Sequence, residues 1–142
     1  GVYMNRTFSI IKPDATKRNI TGSINKIIED NNLNIIAQKR IKLSKENAEA
    51  FYAIHKEKPF FNDLIQFMTS GPSMVLALEK ENAVESWRKA IGSTNPQEAE
   101  KGTIRKDFAS NVQENAVHGS DSNENAQKEI AFFFLDSELL SN

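Results

Sequence analysis

The sequence contains no cysteine, and it has only two histidines, one tryptophan and four prolines among its 142 residues. Without cysteine, the chain can form neither a disulfide framework nor a thiolate metal site, which is compatible with a reducing compartment. No apolar run approaches the roughly 20 residues that a transmembrane helix needs, and the N-terminal residues show no basic segment followed by an apolar one. We therefore expect a cytoplasmic protein without membrane contacts.

An excess of charge of one sign is also missing, because 18 basic and 19 acidic residues leave a formal net charge of −1. This balance gives no support to a protein that binds nucleic acid or a membrane surface. The glycine-rich motifs G-x-x-x-x-G-K-[ST] and G-x-G-x-x-G are absent too, which argues against P-loop and Rossmann nucleotide sites. A phosphate ligand would therefore have to be held by individual side chains. The length of the chain predicts a single domain over residues 1–142.

Four apolar runs predict the strands of a sheet. Residues 7–12 and 74–78 are nearly continuous apolar runs, which is typical of central strands. Residues 33–43 mix apolar with basic side chains and predict an edge strand. The run at residues 130–135 predicts the fourth strand.

Helical periodicity lies between these runs, at residues 21–31, 45–55, 60–69, 82–90 and 123–129. Residues 92–118 have few apolar side chains and no sustained period, and their basic residues favour a ligand-binding loop. The resulting order predicts an α+β fold, a ferredoxin-like βαββαβ (split βαβ) arrangement. We expect an antiparallel four-stranded sheet covered by helices, with a long substrate-binding loop.

His118 lies among small residues just before the last predicted helix. A neutral imidazole nitrogen is abundant near neutral pH, so this side chain can accept a group covalently. Ser120, Asp121 and Ser122 are good helix N-caps, and Asp121 with Glu124 has capping-box spacing. This pattern predicts free backbone N–H groups nearby that would attract an anion. A single histidine more often has a structural role, and the residues alone favour that reading.

Basic and amide side chains that suit phosphate are scattered along the chain. Lys12 ends the first predicted strand, Arg88 ends a helix, and Arg105 lies in the long loop. Thr94 and Asn115 could add neutral hydrogen bonds, since the planar guanidinium of arginine and the compact ammonium of lysine both bind phosphate oxygens. Each of these residues is also common on an ordinary protein surface.

Apolar side chains that could line a cleft are equally ambiguous. Phe60 and Leu64 are one helical turn apart and could both face outward. Tyr52 and Phe60 are more often core or rim aromatics than ligand contacts. Spacing alone leaves both readings open.

Six segments of the chain form a distinctive series, namely FSIIKPDA at residues 8–15, HKEKPFF at 55–61, MTSGP at 68–72, GSTNP at 92–96, GTIR at 102–105 and NAVHGSDS at 115–122. Together and in this order, they resemble segments of the nucleoside diphosphate kinases. The last of these is similar to the signature around the catalytic histidine of that family. In length, the chain is similar to the shorter bacterial members of that family.

The resemblance implies a ping-pong enzyme that moves the γ-phosphoryl group of a nucleoside triphosphate to His118 and then to a nucleoside diphosphate, for example from ATP to GDP. It implies roles for the other candidates as follows: phosphate contacts by Lys12, Arg88, Thr94 and Arg105; sugar contacts by Asn115 and Lys12; a base slot of Phe60, Val112 and Leu64; Tyr52 beside the histidine; and Ser120 and Glu129 supporting the imidazole. An apolar slot makes few hydrogen bonds to base edges, which would explain a broad tolerance of bases and sugars.

The resemblance also implies Mg²⁺ bound mainly through nucleotide phosphates, no metal site made of protein ligands, and a homotetramer or homohexamer. Asp121 is the one candidate for a water-mediated metal contact, although an N-cap is the stronger expectation for it. Two alternatives remain. One is a catalytically silent relative acting as a regulatory or nucleic-acid-binding module, although an RNA-binding aromatic motif is missing. The other is a phosphohydrolase that releases the phosphoryl group to water.

Overall fold

The computed structural model describes residues 5–112 and 114–142. Its four strands are β1 (Arg6–Ile11), β2 (Asn34–Ile41), β3 (Ser73–Glu79) and β4 (Val117–Gly119). They form one sheet in the order β2-β3-β1-β4, and each neighbouring pair is antiparallel. The predicted α+β fold with an antiparallel four-stranded sheet is therefore confirmed, with β1 and β3 in the centre and β2 at an edge.

The helices are α1 (Pro13–Lys17), α2 (Thr21–Asp30), α3 (Lys45–Phe51), α4 (Phe61–Met68), α5 (Ala83–Ile91), α6 (Ile104–Phe108) and α7 (Asn123–Phe133). The helix predicted over residues 45–55 ends early, and a 3-10 turn, Ala53–His55, follows it. Within the described part of the chain, no helix has both the length and the apolar character of a membrane span.

The prediction that residues 130–135 form the fourth strand is wrong, since α7 continues to Phe133 and the strand is Val117–Gly119. Short apolar runs do not distinguish a strand from a buried helix. Here Ile130 and Phe134, four residues apart, are both buried, while Phe132 between them is 43% exposed. The actual β4 has only three residues, VHG, too few to produce a strand pattern.

The start of α7 at Asn123 agrees with the prediction, and one of the predicted N-cap residues caps it. Ser122 is the N-cap, and its Oγ accepts a hydrogen bond from the backbone N–H of Asn125 at 3.0 Å. The predicted capping by Asp121 is therefore wrong. Its Oδ1 instead accepts a hydrogen bond from Asn125 Nδ2 at 2.6 Å, while its backbone remains outside the helix.

Both faces of the sheet are covered by helices. Phe8 and Ile10 of β1 belong to a buried cluster with residues of α3, α4 and α7. Ile11 belongs to a second cluster with residues of α2, α5 and α6, including Trp87. Because side chains alternate along a strand, β1 contributes to both cores and is nearly inaccessible. The last residues of β1 therefore form a rigid support for Lys12, which follows the strand directly.

Candidate active site

A cavity of about 890 Å³ lies beside β4 and the end of β1. Of the residues predicted to form a site, all but Ser120 and Glu129 line it, namely Lys12, Tyr52, Phe60, Leu64, Arg88, Thr94, Arg105, Val112, Asn115 and His118. Residues that are distant in sequence therefore meet at one place. The lining also includes His55, Ser93 and Asp121, and the last of these is its one carboxylate.

His118 is held in β4 by backbone and aromatic contacts. It pairs with Ile10 of β1, and Ser9 Oγ donates a hydrogen bond to the His118 carbonyl oxygen at 2.8 Å. The ring centroids of Phe51 and Phe8 lie 5.8 Å and 6.2 Å from that of the imidazole. These rings restrict the imidazole, whose side chain is 23% exposed. Sequence reasoning assigned neither phenylalanine to the site, because both read as ordinary core residues.

Glu129 and Ser120 form a hydrogen-bonded support for the imidazole. His118 Nε2 lies 2.9 Å from Glu129 Oε1, and Ser120 Oγ donates to the same oxygen at 2.7 Å. A carboxylate can only accept hydrogen bonds, so Nε2 carries the proton and Nδ1 keeps the lone pair. Glu129 lies on α7 and Ser120 precedes that helix, and neither residue lines the cavity. The geometry thus assigns the tautomer that the sequence left open.

Lys12 belongs to a row of polar contacts along one wall. Its Nζ donates to Asn115 Oδ1 at 2.8 Å, and Asn115 Nδ2 donates to the Thr94 carbonyl oxygen at 3.4 Å. Burial, with the charge of Arg105 as the next cause, lowers the pKa of Lys12 from 10.5 to about 8, while Asp14 opposes this change. The free protein therefore holds a lysine whose charge an anion would stabilise.

Two arginines complete the positive side of the cavity. Arg105 Nη1 and Nη2 donate to the carbonyl oxygens of Gly92 and Val117 at 3.2 Å and 2.9 Å. Burial first, then the charge of Arg88, lowers the pKa of Arg105 to about 10. Arg88 Nη1 donates to the Asp121 carbonyl oxygen at 3.2 Å. Like charges this close to one another are typical of a site built for a polyanion.

The position of Arg105 depends on a close approach between two helix ends. Gly92 follows α5 with a φ of 93°, and a Cβ atom there would lie 2.5 Å from Thr103 Oγ1. Thr103 is the N-cap of α6 and accepts a hydrogen bond from the Lys106 N–H at 3.3 Å. Only glycine fits here without strain, so it lets α6 close onto α5. The predicted loop of residues 92–118 thus contains a helix that the sequence pattern did not reveal.

The opposite end of the cavity is apolar. Phe60 and Val112 are 46% and 53% exposed, and both present apolar surface to the cavity. His55, read from the sequence only as part of a helix face, lies beside Phe60 with ring centroids 5.5 Å apart. Leu64 lines the same end.

Tyr52 has an unused hydroxyl group in this lining. The hydroxyl is buried and has no hydrogen-bond partner among the described residues. Burial and then the charge of Glu129 raise the pKa of Tyr52 well above its ordinary value. The phenol therefore keeps its proton and can donate a hydrogen bond to a ligand in the cavity.

The lining does not suit a metal ion held by protein ligands alone. Among residues 5–112 and 114–142, no group of three or more His, Asp or Glu side chains is arranged around a metal position. Asp121 faces a cavity that three basic side chains make positive. A divalent cation fits here only in company with phosphate oxygens, which would supply most of its ligands.

Comparisons with known proteins all identify the same family. The family model described as nucleoside diphosphate kinase matches residues 5–139. A curated nucleoside diphosphate kinase from Maricaulis maris is 60% identical over 137 residues, which cover 96% of this chain and 98% of that protein. The solved structure of the Aquifex aeolicus nucleoside diphosphate kinase aligns with a TM-score of 0.91 at 40% identity, covering 96% of this chain and 99% of that one. The Halobacterium salinarum nucleoside diphosphate kinase, solved in complex with CDP, aligns with a TM-score of 0.92 at 37% identity, covering 96% and 91%.

Proposed function

The chain belongs to the nucleoside diphosphate kinase family and is a phosphotransferase of that kind, and we propose that it transfers the γ-phosphoryl group through a phosphohistidine on His118. The observation that carries this proposal is the hydrogen bond from His118 Nε2 to Glu129, which leaves the lone pair on Nδ1 in a cavity with three basic side chains. Nucleophile and anion-binding groups are thus assembled in one place.

In the first half-reaction, His118 Nδ1 attacks the γ-phosphorus of a nucleoside triphosphate. The N–P bond forms while the bond from phosphorus to the β,γ-bridging oxygen breaks, and the nucleoside diphosphate leaves with that electron pair. The imidazole gains positive charge, which the Glu129 carboxylate offsets through the Nε2 proton 2.9 Å away. In the second half-reaction, a terminal oxygen of another diphosphate attacks the same phosphorus and the N–P bond breaks.

The basic side chains hold the phosphates during both steps. Arg88 and Arg105 suit phosphate oxygens through their planar guanidinium groups, and Lys12 adds a point charge near Asn115. Thr94 contributes a hydroxyl, and Asn115 with Lys12 reaches the sugar. Because these donors are fixed by contacts with the protein, they need little reorganisation when charge moves in the transition state. The Tyr52 hydroxyl, which has no partner among the described residues, donates to the transferred group.

The apolar end of the cavity receives the base. Phe60 and Val112 flank it, with Leu64 alongside, and apolar contacts distinguish poorly between bases. This supports a broad base and sugar tolerance and a set of substrates that includes ATP and GDP. The H. salinarum relative was solved with CDP, which also supports a diphosphate in this position.

We further propose that Mg²⁺ is bound mainly through the nucleotide phosphates, where it would neutralise charge that the basic side chains offset only in part. Asp121 is the one carboxylate in the lining that such an ion could approach. Assembly as a homotetramer or homohexamer and a cytoplasmic location remain predictions from the sequence.

A pulse and chase with labelled nucleotide tests the proposed reaction. Incubation with γ-labelled ATP and Mg²⁺ should label the protein in an acid-labile form, and unlabelled GDP should then remove the label as GTP. The His118→Gln variant should bind ADP but take up no label, whereas His55→Gln, which changes the other histidine of the cavity, should still be labelled. Label released as inorganic phosphate rather than GTP would indicate a phosphohydrolase and refute the proposal.

A further inference from the structure

Ala116 connects the cavity wall to β4 through a strained turn. It is fully buried and has a φ of 72°. The Val117 N–H donates to the Asn115 carbonyl oxygen at 2.9 Å, and this bond across one residue closes a γ-turn at Ala116. Positive-φ γ-turns are rare and strained, particularly for a residue with a Cβ atom. Such a conformation persists only where surrounding contacts impose it.

Both backbone polar groups of Ala116 are held by the segment that follows β1. Its N–H donates to Asp14 Oδ2 at 3.1 Å, and its carbonyl oxygen accepts from the Lys12 N–H at 2.8 Å. Asp14 lies in the first turn of α1 and is not part of the cavity lining. The Asp14 carboxylate therefore fixes the turn at Ala116 from outside the cavity lining.

The surroundings of Asp14 are costly for a carboxylate that serves only packing. Its Oδ1 is buried and has no hydrogen-bond partner among the described residues. Burial raises the pKa of Asp14, and Glu114 adds to this, while Lys12 and the Ala116 N–H oppose it. A buried acceptor with an unused oxygen normally destabilises a fold. The position of such a carboxylate next to a strained turn therefore points to a use in the site.

The same carboxylate acts on the charge of Lys12. Burial and Arg105 lower the pKa of Lys12 to about 8, and Asp14 is the group that raises it. Removing the charge of Asp14 would leave the lysine less protonated at a given pH. This effect is separate from the hydrogen bond to Ala116, so two different substitutions can distinguish them.

We propose that Asp14 is a positioning residue for phosphoryl transfer, whose carboxylate holds the Ala116 turn and thereby sets the positions of Asn115, Lys12 and His118. Asn115 precedes the turn and His118 follows it by two residues. A displacement of about 1 Å at either would separate nucleophile from phosphate contacts and can reduce the rate about a hundredfold. The inference rests on the proposed function, because positioning has a meaning only if His118 accepts the phosphoryl group.

The test compares Asp14→Asn with Asp14→Ala. The asparagine oxygen can still accept the Ala116 N–H, so kcat/KM should remain within about threefold of the wild type near neutral pH, whereas alanine should lose about tenfold to a hundredfold. Both variants lose the charge, so the decline of ADP affinity with rising pH should begin below the pH of about 8 expected from Lys12. Asp63→Ala, which removes an exposed carboxylate on α4, is the matched control and should change neither quantity.

Three outcomes would overturn the proposal: a folded Asp14→Ala protein with wild-type kcat/KM, an equal loss in both variants, or an unshifted pH profile in Asp14→Asn. Thermal unfolding establishes that each variant is folded, and if alanine is not tolerated, Asp14→Leu, which has a similar shape but no acceptor, takes its place in the comparison. Labelling of the wild-type protein is measured first. Its absence would refute the phosphohistidine itself, which is a different failure from wild-type activity in the Asp14 variants.

Discussion

We predict that Lys12 makes nucleotide affinity depend on pH in a range where few other groups titrate. Below its pKa of about 8, the lysine is charged before and after binding, and affinity is constant. Above that pH, the free protein has lost a proton that it must regain in order to pair with phosphate. Affinity should therefore fall as the pH rises, and binding should take up protons.

The size of this effect follows from the two pKa values. If bound phosphates return the pKa of Lys12 to its ordinary 10.5, raising the pH from about 7.5 to about 9.5 weakens binding by about twentyfold, or about 2 kcal/mol. For Arg105, whose pKa is about 10, the same rise in pH weakens binding by only about 1.3-fold. The phosphates of ADP are already ionised throughout this range, so Lys12 should dominate the titration.

Calorimetric titration with ADP measures both quantities. Near pH 8.5, in two buffers of different ionisation enthalpy, the wild-type protein should take up about 0.75 proton per nucleotide. Lys12→Met, which keeps an apolar stem of similar length, should bind more weakly at neutral pH, take up no proton and show little further pH dependence. An affinity that is flat in the wild type, or an equal decline in the variant, would refute the assignment of this titration to Lys12.

Three further substitutions test the support of the site. Glu129→Gln keeps an acceptor for His118 Nε2 but loses the charge that offsets the phosphorylated ring, so kcat should fall about tenfold to a hundredfold in steady-state assays while ADP affinity is retained; an unchanged kcat would contradict this role. Gly92→Ala places a Cβ atom against Thr103 at a φ of 93° and should cost about 2 kcal/mol in the free energy of unfolding, with a lower kcat/KM because α6 is displaced. Ser122→Ala removes the cap of α7 and should cost about 1 kcal/mol, measured by denaturant unfolding, and a stability equal to the wild type would show that the cap is dispensable.

The central strands and most helices could be predicted from the sequence because their patterns are long and regular. The apolar run of β1 predicts a strand, and the spacing of the apolar residues in α5 predicts a helix. The run at residues 130–135 fits either a strand or a buried helix, because it is too short to show a period and its aromatic residues are common in strands. Its helical nature depends on packing against β1, where Phe133 stacks on Phe8 with centroids 5.2 Å apart. No local pattern reports such a contact.

The polar residues of the candidate site were recognised through family resemblance, and the structure adds what holds them. The strained conformation of Ala116 is invisible in the sequence, since alanine gives no sign of a positive φ. Asp14 reads as an ordinary residue of a turn, and Phe51 as one apolar position on a helix. Their importance comes from long-range neighbours, which only the fold brings together. The same holds for Gly92, whose need for glycine is set by Thr103 eleven residues later.

The position of the phosphoryl group on the protein tests the central claim most directly. The wild-type protein is incubated with ATP and Mg²⁺ without acceptor and denatured in alkali, and the adduct is located by peptide mass spectrometry and its nitrogen by ³¹P NMR. We predict one phosphoryl group on His118, bonded to Nδ1, because Glu129 occupies the Nε2 side. A phosphoryl group on Nε2 of His118, on His55 or on Ser120 would contradict it.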